Sequence, residues 1–95
     1  MTEQIHHTEA LYALAKAFLS LSHEEECVAF LRDLCTIRET EDMAQRLEVA
    51  ILLKDGTNYQ EISKETGAST ATISRLSRSL VYGSGGYRSV LEKLS

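Results

Sequence analysis

No proline and no tryptophan occur among the 95 residues, and residues that favour strands are few and scattered. An all-α fold is therefore expected. Cysteine is scarce as well. Cys27 and Cys35 lie eight apart, which matches no zinc-ligand spacing, so two free thiols in a reducing cytoplasm are expected, each acting as a small hydrophobe. Long apolar runs are missing: the longest, Ala10 to Leu21, is broken by Lys16 and falls short of the ~20 residues that span a bilayer. The N-terminus lacks the basic-then-apolar pattern of a secretory leader. No membrane partner is expected, and the location expected is cytoplasmic. There is no internal repeat and no low-complexity segment. No spacing sets a nucleophile beside its base, and no Gly-rich loop follows a strand, so the chain does not read as an enzyme. His6, His7 and His23 come with no ligand set, so neither a metal nor another cofactor is expected.

What is present fits one domain, residues 1–95, near the lower size limit for folding alone. The apolar share of 43% excludes a disordered tail, but the core is thin and association with a second copy would help. Net charge is −4 and unevenly placed: residues 1–56 hold 5 basic and 11 acidic side chains, residues 57–95 hold 5 and 3. From Thr66 to Leu91 there is no acid, while Arg75, Arg78 and Arg88 fall in that stretch. The electropositive end is therefore the C-terminal one.

Helix signals divide the chain into about six pieces. The first covers about Thr8 to Leu21, with Leu11, Leu14, Phe18 and Leu21 in one stripe and Tyr12, Ala13, Ala15, Ala17 and Leu19 covering most of the rest. A helix apolar nearly all round must be buried on most sides, which predicts packing into a second subunit. His6 and His7 fall in a loose terminus before it. Ser22 to Glu25 forms a capping box opening a short helix with His23 in its first turn and Val28, Leu31 and Leu34 inward. Thr36 to Glu39 is a second box, opening a long helix of about Ile37 to Lys54 whose expected core face is Met43, Leu47, Ala50 and Ile51. Asp55-Gly56 ends it, with Gly in the left-handed position. A last short helix, about Tyr87 to Leu94, offers Val90, Leu91 and Leu94 for packing.

The segment Thr57 to Val81 carries the functional argument. Asn58 caps a helix, with Glu61 three residues on. Ile62 faces inward, Ser63 is small where the next helix crosses, and Gly67 sits where a turn between steeply crossed helices needs positive φ. Ser69 caps the second helix, and Ile73 and Leu76 return to the core. This is a helix-turn-helix. The outer face of its second helix, Thr70, Ala71, Thr72, Ser74, Arg75 and Arg78, is small, hydroxyl-bearing and basic, suited to the major groove of double-stranded DNA. The helix start at Ser69 can hold an anion, and Gln60 and Lys64 on the preceding helix are candidate phosphate contacts. The glycine-dense stretch Gly83 to Gly86 reads as a loop, with Gly83 stopping the recognition helix. The organisation expected is dimerisation helices in 1–56, the helix-turn-helix in 57–82, and a loop and C-terminal helix in 83–95. The alternative function is a helical homodimeric protein-interaction module without specific DNA binding, suggested by the acidic first half.

On these residues the run from Thr36 to Leu80 resembles the Trp repressor superfamily, and most of all its YerC/YecD-like branch. The strongest match is Gly67 to Arg75, G-A-S-T-A-T-I-S-R, supported by the long helix ending at Gly56 and by Ser79-Leu80. The resemblance implies an intertwined homodimer of six-helix subunits, control of transcription in a bacterial cytoplasm, and a recognition helix that meets its operator through Thr70, Ala71, Thr72 and Ser74. In tryptophan-binding members the effector pocket uses residues that correspond to Thr36, Arg46, Arg75 and Ser79. The family's Gly after the recognition-helix Arg leaves room for the indole, but here Leu76 stands there. Tryptophan is therefore not an expected ligand, and the reading is of a repressor that works without it.

Overall fold

The computed structural model describes residues 2–95, with side chains from residue 7 onward. Six helices follow one another: α1 (Thr2–Leu19), α2 (Glu24–Leu34), α3 (Ile37–Lys54), α4 (Tyr59–Thr66), α5 (Thr70–Tyr82) and α6 (Gly86–Leu94). No strand occurs among the described residues, and no helix there is long and apolar enough to cross a membrane. The chain forms two compact units, Met1–Thr40 and Glu41–Ser95, with the division inside α3.

In the first unit, α1 begins at Thr2 rather than Thr8, so His6 and His7 lie inside the helix and not in a loose terminus. It ends at Leu19, two residues early, because the next turn tightens: Leu21 N–H donates to the Phe18 carbonyl (3.2 Å) and the Ser20 hydroxyl donates to the Ala17 carbonyl (2.6 Å). The cap of α2 is shifted by one residue from the expected box. His23 is the N-cap, and Glu26, not Glu25, reaches back, accepting from the backbone N–H groups of Ser22 (2.9 Å) and His23 (3.2 Å). A single carboxylate thus satisfies two donors ahead of the helix.

The two helices meet through Phe18 and Phe30, edge to face with ring centroids 5.1 Å apart. This selects the face of α2 that is partly covered: Cys27, Phe30 and Leu31, not the expected set, since Val28 and Leu34 are exposed. Both cysteines are free thiols. No described side chain of this unit is fully buried. Leu11 is 56% exposed, Leu19 83% and Ile37 80%.

The box that opens α3 forms as expected, with Thr36 N–H donating to Glu39 Oε1 (2.8 Å) and Glu39 N–H to Thr36 Oγ1 (3.1 Å). Its far end closes with Thr57 N–H on the Leu52 carbonyl and Gly56 N–H on the Leu53 carbonyl, the paired arrangement that a left-handed residue after a helix permits.

In the second unit the core consists of Val49, Ile62, Ala68, Ile73 and Leu76, with Leu52, Leu53 and Tyr87 packed against it. The buried face of α3 is therefore rotated from the expected one. Ala50 is buried, but Val49, Leu52 and Leu53 do the packing, while Met43 and Ile51 are exposed and Leu47 half-buried. The reason is that α3 carries apolar residues on several sides and the helix-turn-helix covers only one of them. On α6 the packing residues are Tyr87 and Leu91, one turn apart, whereas Val90 and Leu94 stay exposed.

The turn between α4 and α5 depends on Gly67, at φ +76° and ψ 4°. Its N–H donates to the Ser63 carbonyl (2.8 Å). A Cβ there would meet only Gln45 Nε2, at 4.0 Å, so replacement costs backbone strain and not crowding. Gly67→Ala should lower stability by roughly 1–2 kcal/mol, the penalty of an L-residue in the left-handed region. Urea unfolding measures this, and an unchanged midpoint would mean that the turn relaxes freely.

Candidate nucleic-acid interface

The helix-turn-helix is held by short polar contacts that leave one face of α5 outward. Asn58 Oδ1 accepts from Glu61 N–H (2.9 Å) and starts α4. The Ser63 hydroxyl donates to the Ala68 carbonyl (2.8 Å), so this side chain is not merely small at the crossing but ties α4 to the turn that leads into α5. The Thr66 hydroxyl donates to the Ile62 carbonyl (2.7 Å) and accepts from Ala68 N–H (3.1 Å). From α3, Gln45 Nε2 donates to the Thr66 carbonyl (3.0 Å), which fixes the end of α4. Ser69 caps α5, accepting from Thr72 N–H (3.2 Å) and donating to the Thr72 hydroxyl (3.1 Å). Such a cap contributes about 1 kcal/mol.

On α5, Ile73 and Leu76 are buried, 0% and 5% exposed. With those positions inward, Thr70, Ala71, Ser74, Arg75 and Arg78 are all exposed, and their spacing places them on one side of the helix. Ser69 is exposed just ahead of them. Thr72 is half-buried and its hydroxyl is engaged by Ser69, so it sits at the margin of the face. Gln60 and Lys64, one turn apart on α4, are both exposed. There is no acid anywhere on α5, which leaves its free N-terminal N–H groups and two guanidinium groups to set the local field.

The residues matching the family's effector positions are less uniform. Arg46 and Arg75 are exposed and Ser79 is half-buried. Thr36 uses its hydroxyl to cap α3. Leu76 is packed in the core. Ser79 also borders a cavity of about 450 Å³ lined by Leu47, Tyr87, Val90 and the loop 83–86.

That loop stops α5 at Gly83, whose N–H donates to the Ser79 carbonyl (3.0 Å). Gly83 is extended, not left-handed, at φ −76°. Glycine is required there for another reason: a Cβ would overlap the Ser79 carbonyl oxygen and lie 3.2 Å from its carbon.

Three residues position this site in ways that no sequence signal indicates. They are Gln45, which holds the end of α4, Lys54, whose ammonium donates to the Leu91 carbonyl (3.1 Å), and Arg88, which donates to the carbonyls of Leu80 and Val81. No local pattern announces a side chain that caps a helix distant in sequence.

A family model for the Trp repressor protein matches residues 9–95. The chain belongs to the Trp repressor family. It is 52% identical over 81 residues to YerC of Bacillus subtilis (strain 168), covering 85% of this chain and 78% of YerC. Among solved structures, it resembles a candidate Trp repressor from Staphylococcus aureus, with a TM-score of 0.86, 46% identity, and coverage of 90% of this chain and 86% of that one. A TrpR-like protein from Eubacterium eligens ATCC 27750 is equally similar, with a TM-score of 0.86, 48% identity, and coverage of 90% and 89%. Membership brings the functional class with it: this is a family of all-α, DNA-binding transcription regulators, and the YerC-like branch suggested by Gly67 to Arg75 is where this chain falls.

Proposed function

We propose that the chain is a sequence-specific repressor that binds double-stranded DNA as a homodimer, with α5 in the major groove and no need for tryptophan. The observation that carries this reading is the exposed, acid-free face of α5, set outward by the burial of Ile73 and Leu76. Arg75 and Arg78 suit guanine edges or phosphate, and Thr70, Ala71, Thr72 and Ser74 are short enough to let the helix approach base edges. Ser69 at the helix start, together with Gln60 and Lys64, supplies phosphate contacts that fix register. The apolar surface left exposed on α1 and α2, with Leu11, Tyr12, Leu19, Val28 and Leu34, supports a dimer built from the first half of the chain, since such surface is stabilised at about 25 cal/mol per Å² once covered.

Independence from tryptophan rests on Leu76, a buried side chain where tryptophan-binding relatives have glycine. Thr36, Arg46, Arg75 and Ser79 alone would allow the ligand.

Selection from a random duplex library at fixed, moderate salt, without any effector, tests the whole reading. An inverted repeat with half-sites about one helical turn apart is the expected product. Calorimetry with L-tryptophan should show no binding at micromolar concentrations. Failure to enrich any duplex would favour a protein-contact role for the dimer, and micromolar tryptophan binding would overturn the effector claim alone.

A further inference from the structure

We propose that Arg88, on α6, is a positioning residue for DNA recognition, and that it acts by gripping the end of the recognition helix without touching DNA. This rests on the reading of α5 as the DNA-contacting helix. The last turn of α5 contains no basic residue of its own, so its final carbonyls lack a local cation to offset the helix dipole. Arg88 supplies that cation from the neighbouring helix. Its Nε donates to the Leu80 carbonyl (3.0 Å) and its Nη2 to the Val81 carbonyl (2.8 Å). Two parallel donors from one planar group restrict rotation as well as distance.

The helix that bears Arg88 is itself anchored. Leu91 is buried and Tyr87 packs on the core, and the Lys54 ammonium of α3 donates to the Leu91 carbonyl (3.1 Å). Thus α6 is a strut, joined to α3 at one end and to α5 at the other. The first turns of α5 are oriented by Ile73 and Leu76, and its last turn by Arg88. The guanidinium is directed at carbonyls and not at the outward face of Thr70 to Arg78, so Arg88 should affect which duplex is preferred more than how many phosphates are held.

The test compares wild type, Arg88→Met and Arg88→Lys on the selected duplex and on a random duplex across a range of salt. Arg88→Met should weaken binding to the selected duplex by about fivefold or more, the scale of one imperfectly placed base contact. Arg88→Lys, which keeps the charge but has a single-pronged donor, should fall between the two and remains informative should the Met variant fail to fold. Binding to the random duplex and the slope of log affinity against log salt should be unchanged. A slope reduced by about 0.9, the signature of one lost phosphate contact, would overturn the proposal in favour of direct contact. Equal losses on both duplexes in step with the melting temperature would reduce Arg88 to a stability role, and no change would also overturn it. A wild type with no duplex preference removes the DNA reading itself, whereas a selective wild type with unaltered variants removes only the proposal.

Discussion

Thr72→Glu combined with Arg75→Ala will reduce binding to the selected duplex to the level of a random one, a loss of at least about a hundredfold. Each good side-chain-to-base pairing discriminates by roughly 1–3 kcal/mol, and about 1.4 kcal/mol is tenfold in affinity. Removing Arg75 deletes an exposed guanidinium from the middle of the outward face, and the new carboxylate places negative charge among phosphates. The double variant should still fold. The Ser69 cap on α5 uses the backbone N–H of residue 72, which any side chain preserves, and an acid in the first helical turn interacts favourably with the helix dipole. Arg75 is exposed and outside the core. Electrophoretic or fluorescence titration at fixed salt gives the affinities, and a thermal melt checks folding. Enrichment of the same duplex by the variant would remove α5 from the interface.

Ile73→Ala will destabilise the protein by about 2–5 kcal/mol, the usual cost of deleting most of a fully buried aliphatic side chain. Ile73 is 0% exposed and shares the core with Val49, Ile62, Ala68 and Leu76. In a chain of this size, total stability is only about 5–15 kcal/mol, so the loss is a large fraction of the whole. One residue away, Ser74→Ala removes an exposed hydroxyl and should stay within about 0.5 kcal/mol. Urea unfolding at one fixed protein concentration separates the two, the concentration being held constant because the proposed dimer would couple association to stability. Equal midpoints would mean that Ile73 is not a core residue. The pair also tests the division of α5 into an inner side that holds the fold and an outer side free for DNA.

Much of this architecture could be read from the chain. Helix α3 has the bounds expected of it, because both of its ends are written locally: a Thr36–Glu39 box and a glycine at 56. The same is true of α4 and α5, which are capped by Asn58 and Ser69 and joined by the turn at Gly67. These signals involve residues three to five apart, so hydrogen bonds within about one turn of chain, from backbone N–H groups to capping side chains and to nearby carbonyls, decide them. Where several candidates stood side by side, local reading slipped: among three consecutive glutamates, Glu26 and not Glu25 closes the α2 cap. The candidate DNA face was equally legible, since Ile73 and Leu76 turned inward leave only one side of α5 for Thr70, Ala71, Ser74, Arg75 and Arg78. Thr72 was harder, because its hydroxyl is drawn to Ser69.

The sequence by itself determined the helices, their order, the turn at Gly67 and the acid-free outer side of α5, because each depends on the period of the helix and on groups within a turn of one another. Only the tertiary structure decided which side of α3 is buried. That helix has apolar residues at Met43, Leu47 and Ile51 as well as at Val49, Leu52 and Leu53, and periodicity cannot rank two apolar sides. The choice follows from where α4 and α5 pack. Tertiary structure likewise decided the roles of Gln45, Lys54 and Arg88. Each satisfies a backbone carbonyl on another helix, and the chain records a donor's chemistry but not the orphan acceptor that folding brings within its reach.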